Sequence, residues 1–309
     1  MDRGRDDRRG PPRDRDRDRG GPPQVVKEYY YRPRLAPRGP APVSAEQFGR
    51  RAGGLDGKIL LKLTCVTPLH VGTGLTGLEG GRAIMLTARA DVTPVIPGSA
   101  LKGALRTVGE ALARSCHDQR CRMCYPCLVF GAVGYRGRTT FGQGMPDTPT
   151  RPLGFLLPPR TSRGPTWDES KIRLYNHHRA QPDPRGVELV ETLPAGTALT
   201  AELVYQGLDP AALGYLLLVT GAATGHGFLH KIGAARSQGL GSVKAEVGTH
   251  VVRKATAHVP ALRDEPAPPA ADLVQAYLDA ETPHDPAGVI LETLSTLREK
   301  SRPLEVALP

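Results

Sequence analysis

Apolar and polar positions change rhythm several times along this chain. Residues 58–66 form a short apolar run with Lys58 and Lys62 on one face, which predicts a β-strand. A glycine-rich stretch over 72–81 predicts a loop, 83–90 a second extended segment, and residues 93–98, with two prolines and a glycine, a turn. Ser99 stands where a helix cap belongs, ahead of Leu101, Leu105, Val108 and Leu112, so the spacing predicts a helix over 100–114. Alternation at 188–193 and again at 198–205 predicts a hairpin. Asp209 and Pro210 read as the cap and first residue of a second, apolar helix running to about Leu229. Residues 242–247 alternate as a closing strand. Residues 248–271, rich in Pro and Ala, predict a link, and 271–280 and 287–300 two short helices. The order strand, helix, hairpin, helix, strand predicts an α+β fold of the βαββαβ, ferredoxin-like kind with large insertions. RNA-recognition domains share that layout.

Composition refines this picture. The chain has 309 residues, a net charge of +10 and 36 Gly with 30 Pro, which suits a loop-rich protein with a polyanionic partner. Aromatics are only 5%, which argues against extensive base stacking. Residues 1–23 hold eight Arg and six Asp and almost nothing apolar, so they are expected to be disordered, and most of the positive charge belongs to the rest of the chain. Residues 24–34 interleave Tyr29, Tyr30 and Tyr31 with Lys27, Arg32 and Arg34, which suits either docking on RNA or a neighbour, or a local hydrophobic anchor. Three parts follow: a tail and linker over 1–56, a body over 57–247, and a link with short helices over 248–309. There is no apolar stretch of the roughly 18 residues a membrane span needs and no apolar signal core, so a cytoplasmic protein is expected.

The densest chemical signal is Cys116, Cys121, Cys124 and Cys127. Four thiolates this close repel one another unless a cation neutralises them, and a tetrahedral Zn²⁺ does so with no coordination position left for catalysis. Arg114, Arg120 and Arg122 favour the thiolate form, and His117 can replace one cysteine. An iron–sulfur cluster is the alternative, although its fourth cysteine is usually remote, whereas here it follows three residues on. Cys65, in a strand, reads as a small buried hydrophobe.

Gly72-x-Gly-x-x-Gly77 follows a strand, and Asp91 lies at about the distance of a ribose ligand, but Gly80 and Gly81 oppose the helix a dinucleotide site requires. A loop that tracks a phosphate backbone fits better. A second basic, glycine-rich loop carries Lys231, Gly233, Arg236, Gly239, Gly241 and Lys244, a set suited to a polyanion. His70 can act as acid or base on RNA or simply hydrogen-bond the neighbouring loop. His177, His178 and Arg179 suit backbone or base contacts, or a solvated loop. His226 and His230, placed one turn apart on the expected second helix, read as structural or phosphate-facing.

These segments together resemble the RAMP superfamily of CRISPR-associated proteins, in particular the backbone (Cas seven-type) subunits of type III effector complexes. The resemblance rests on Thr67–Gly74, on the Ile96-Pro-Gly-Ser-Ala-Leu-Lys-Gly helix start leading to Arg106, on Leu128–Gly131, and on Ile232–Ser242. It covers about residues 58–247. It implies an RRM-like body, in which the cysteine set of 115–131 is a zinc-binding insertion, and a β-hairpin thumb within 134–187. It also implies partners: a CRISPR guide RNA, complementary target RNA, other RAMP subunits and a large subunit. Guide phosphates are then expected on Ser99, Lys102 and Arg106, and again on Gly233, Arg236, Gly239 and Gly241. Cutting members carry an Asp in the loop that here spans 72–84. This chain has Glu79 and no Asp there, and Arg82 falls near the expected place. The first expectation is therefore a guide-holding subunit. The alternative is an endoribonuclease that cuts target RNA through Glu79 with Mg²⁺, or processes precursor guides with His70.

Overall fold

The computed structural model of the chain describes residues 30–36, 54–117, 120–121, 123–157, 172–179, 181–186, 188–256 and 259–305. The expected disorder of 1–23, Tyr29 and Arg122 lie outside these residues. The fold is mixed α and β, with strands in the majority.

Strand β1, Leu55–Cys65, lies at the centre of a seven-stranded sheet. Its apolar side chains alternate inward, and Ile59, Leu61, Leu63 and Cys65 are buried. Burial drives the Cys65 thiol pKa up to about 12, as expected of an inert core cysteine. The next two strands are β2, Gly72–Glu79, and β3, Arg82–Thr87. They pair with each other in a smaller, four-stranded sheet. The stretch read as a loop is thus a hairpin strand. Its turn is made by Gly80 and Gly81, with φ of 55° and 77°, the backbone a tight hairpin turn demands.

Helix α1, Gly98–Ala111, begins before Ser99, because Pro97 takes the cap position and makes no side-chain capping bond. Helix α2, Tyr125–Phe130, is short and wholly buried. Strand β4, Leu153–Leu156, and strand β5, Leu189–Thr192, join β3 in the smaller sheet. Strand β6, Ala198–Leu208, pairs with β1.

The expected hairpin of 188–193 with 198–205 does not form. Leu193 and Pro194 carry the chain from one sheet to the other, with Leu193 bridging Leu69. The second neighbour of β6 is instead a broken strand at Thr139–Phe141 and Met145–Pro146. That strand lies inside the segment read as a thumb insertion. Gly142 and Gly144 interrupt it: a Cβ on Gly142 would stand 2.9 Å from Glu202 O, and Gly144 pairs its backbone with Ile96.

Helix α3, Pro210–Val219, starts as expected, with Asp209 accepting from the Ala212 N–H at 2.7 Å. It stops ten residues short of Leu229, because Gly221 adopts φ of 68°. His226 and His230 are therefore not a helical pair. Strand β7, Ser242–Thr256, runs past Gly248 through an irregularity between Val247 and Thr249, and pairs with both β1 and strand β8, Val259–Pro266. The segment read as a Pro/Ala link is a hairpin. Helices α4, Ala270–Glu281, and α5, Val289–Glu305, close the chain. Helix α3 is apolar all round because α4 covers its outer side, and Gly214 lets the two approach until a Cβ would meet Leu273 O.

Candidate metal centre and nucleic-acid interface

The four cysteines converge as their spacing predicts. All four sulfurs lie within 4.8 Å of one another, with Cys116 Sγ 3.5 Å from Cys127 Sγ and 3.8 Å from Cys124 Sγ. Four ligands at about 2.3 Å from a tetrahedral Zn²⁺ stand roughly 3.8 Å apart, so this donor set fits such an ion. The Met123 and Cys124 N–H groups both donate to Cys121 Sγ at 3.4 Å, the backbone support a thiolate ligand needs.

The cysteine unit packs against the helices of the body. Tyr125 stacks on Tyr215 of α3 at 5.5 Å and meets Tyr277 of α4 edge-on at 5.2 Å. The Tyr277 hydroxyl donates to Leu112 O. Arg114, expected to favour the thiolates, turns instead to Glu281, with Nε and Nη2 donating to its carboxylate at 2.9 and 3.1 Å. Both side chains are only 2% exposed.

Two basic elements stand close together, since α1 packs against the short strand His230–Lys231 that leads into the glycine loop. On α1, Ser99, Lys102 and Arg106 all line one groove of about 470 Å³. Lys102 has no hydrogen-bond or ion-pair partner among the described residues; burial, and then Arg106, lowers its pKa. Arg106 donates to Glu110 at 2.7 Å through Nε and to Gly131 O at 2.7 Å through Nη1, while its buried Nη2 has no partner among the described residues. The far wall of the groove carries Arg136 and Phe141, neither of which the sequence singled out. The only hint was the basic run Tyr135-Arg-Gly-Arg138.

In the second element, Gly233, Gly239 and Gly241 all take positive φ, of 82°, 96° and 77°. At Gly233 and Gly241 that freedom serves close packing within the protein. A Cβ on Gly233 would stand 2.1 Å from His70 O, and one on Gly241 2.0 Å from Ile232 O. Ala234 N–H donates to His70 O and Gly241 N–H to Pro68 O, which sews the loop to the end of β1. Lys231 is buried beneath it, its Nζ donating to Leu240 O at 2.9 Å, and desolvation lowers its pKa to about 7. Arg236 remains partly exposed, its guanidinium 4.6 Å over the Tyr175 ring. Tyr175 in turn meets Tyr30 edge-on at 6.4 Å, and Tyr30–Tyr31 pairs with Leu174–Tyr175. The described part of the tyrosine-rich segment is thus an internal anchor. No sequence signal linked Tyr30 or Tyr175 to Arg236.

The remaining candidates separate. His70 is buried, with Nδ1 bonded to Glu191 O at 2.7 Å, and burial lowers its pKa, so it is a neutral loop-holding group. Glu79 is exposed at the hairpin tip opposite Arg82. Strand β2 puts roughly 23 Å between the two ends at about 3.3 Å per residue, so His70 and Glu79 do not share a site. His177 is buried under the glycine loop, its Nδ1 3.1 Å from Ser242 Oγ, and burial, reinforced by Lys231 and His230, holds its pKa well below the usual value. His178 is half-buried and Arg179 exposed beyond it. His230 is buried, with Nε2 bonded to Thr220 O at 2.9 Å and its pKa lowered to about 4 by desolvation. His226 lies apart near Arg298, in the connection after α3.

No helix among the described residues is long and apolar enough to cross a membrane. Comparison with curated proteins gives no significant match. The family model of the RAMP superfamily matches residues 62–244, from within β1 to the start of β7 and across the cysteine centre, both basic elements and the glycine loop. That match spans more than half of the chain, which therefore belongs to the RAMP superfamily, with the CRISPR-associated role in binding or processing RNA that membership carries.

Proposed function

We propose that this chain is a guide-RNA-binding backbone subunit of a type III CRISPR effector complex, which holds the guide in a shape ready to pair with target RNA. One observation carries the reading: a groove on α1 lined by Lys102 and Arg106, with Lys102 lacking a partner among the described residues, beside a second basic loop that presents Arg236. A cation without a carboxylate partner, as Lys102 is among the described residues, suits a phosphate, and contacts of that kind hold a guide while base pairing supplies specificity. The ferredoxin-like βαββαβ reading is supported by the order of β6, β1 and β7 around the sheet centre. The strand at 139–146 lies beyond β6, and α1 and α3 occupy the two crossovers. Zn²⁺ is the ion proposed for the four cysteines, in a structural role. The proposed partners are the guide, the complementary target, neighbouring RAMP subunits and the large subunit, in the cytoplasm.

A second reading, cleavage of target RNA, has one observation in its favour. Glu79 sits exposed at the tip of a projecting hairpin, where a carboxylate can meet RNA and Mg²⁺. Precursor processing through His70 has less support, since that ring is buried and bonded to Glu191 O.

Salt titration of guide binding tests the first reading. Lys102→Ala and Arg236→Ala should each weaken binding regardless of sequence and reduce the slope of log K against log salt by about 1. Unchanged affinity and slope in both variants would remove the groove and the loop from the interface.

A further inference from the structure

The groove on α1 has an aromatic wall that phosphate binding alone does not use. Phe141 stacks on the buried Phe130 with ring centroids 5.6 Å apart and planes 17° from parallel. One face of Phe141 is therefore covered. The residue is still partly exposed and lines the groove that Lys102 and Arg106 line. The wall is held rigidly against the helix start. Gly98 brings α1 so near Phe141 that a Cβ would stand 2.1 Å from its carbonyl oxygen. The volume of about 470 Å³ is in the range of pockets that enclose a ligand of nucleotide size.

We propose that this groove is a nucleotide-binding subsite, in which Lys102 takes a phosphate and the uncovered face of Phe141 stacks on the attached base. The inference rests on the RNA-binding reading and sharpens it. Stacking on one ring tolerates any base, as a guide of variable sequence requires. The low aromatic content of the chain is no obstacle, because the site needs a single platform, pre-set by Phe130. Arg106, held by Glu110 at 2.7 Å and by Gly131 O at 2.7 Å, braces the wall beside Lys102.

The test uses the full chain and an oligoribonucleotide of the guide repeat, followed by fluorescence anisotropy from low to high salt. Phe141→Leu should weaken binding about 10-fold with an unchanged salt slope, the signature of lost stacking. Phe141→Tyr should restore most of that loss. Lys102→Ala should weaken binding and lower the slope by about 1. An oligonucleotide carrying one abasic position should lose affinity with the wild-type chain and lose nothing further with Phe141→Leu. If Phe141→Leu binds as tightly as wild type while Lys102→Ala is impaired, the stacking subsite is wrong and the RNA reading stands. If the wild-type chain binds no RNA, both fall. Photocrosslinking of 4-thiouridine RNA to the unmodified chain gives an answer independent of folding in the variants. Crosslinks at Phe141 or Tyr135 support the subsite, and crosslinks confined to other segments overturn it.

Discussion

Glu281→Ala should be among the most destabilising single substitutions in this protein. The Glu281 carboxylate receives two hydrogen bonds from Arg114, at 2.9 and 3.1 Å, and both side chains are 2% exposed. Removing the carboxylate takes the counter-charge from a guanidinium that cannot lose its proton and has almost no water, at a cost of about 3–5 kcal/mol. For a folded body of this size that corresponds to a fall in Tm of roughly 6–20 °C. The double variant Arg114→Met with Glu281→Leu removes both charges while keeping apolar volume, and should lie within about 1 kcal/mol of wild type. Urea denaturation of the wild type, the two single variants and the double variant closes the cycle. The interaction should bind α4 to the residues that enter the cysteine centre, so limited proteolysis of Glu281→Ala should cut first near 112–121. A Glu281→Ala variant within 1 kcal/mol of wild type, or a double variant as unstable as the singles, would refute a desolvated ion pair here.

The remaining expectations concern the metal centre, the glycine loop and pH. Cys124→Ser should lower zinc content by mass spectrometry and expose 114–131 to hydrogen exchange, because the donor set loses one of its four sulfurs; full occupancy with unchanged melting contradicts the site. Gly241→Ala should cost about 1–3 kcal/mol from its φ of 77° alone, and more from the clash of the new Cβ with Ile232 O, measured by chemical denaturation. His230, buried and neutral with a pKa lowered to about 4, takes up a proton in the unfolded chain below pH 6.5 but not in the folded one. Stability should therefore fall as pH drops from about 6.5 towards 4, by about 3 kcal/mol from this group, and the fall should flatten in His230→Asn. A wild-type profile that is level across that range contradicts the buried neutral imidazole.

Several elements are legible in the chain because the physics that determines them is local. The alternation of β1, the stripe of α1, the Asp209-Pro210 start of α3 and the cysteine spacing all act within a few residues. Lys102 and Arg106 were visible as a pair four residues apart. Other parts depend on partners far along the chain. Glycine density at 72–81 reads as a loop, yet Arg82–Thr87 supplies a backbone ladder that holds it as a strand. Alternation at 189–192 and 198–208 marks strands without stating their partners, and Pro194 sends them to different sheets. The strand at 139–146 is broken by glycines and completed by β6. Phe141 gains its place from Phe130 and Gly98, and Arg236 from Tyr175, contacts that no periodicity encodes.

The same distinction separates the two candidate chemistries. The glycine loop was singled out for an open backbone, and its glycines do take positive φ, but they spend that freedom on contact with His70 O and Ile232 O. The accessible positive charge of these two elements therefore lies on Arg236 and Lys102, rather than on buried Lys231.

The most direct test is to purify the chain with a co-expressed CRISPR array, sequence the RNA that stays bound, and then add labelled complementary RNA with Mg²⁺. The expected result is repeat-derived guides of defined length that capture the complementary strand, whose fate in wild type and Glu79→Ala then separates holding from cutting. A chain that retains no RNA, or RNA unrelated to the array, would contradict the central claim.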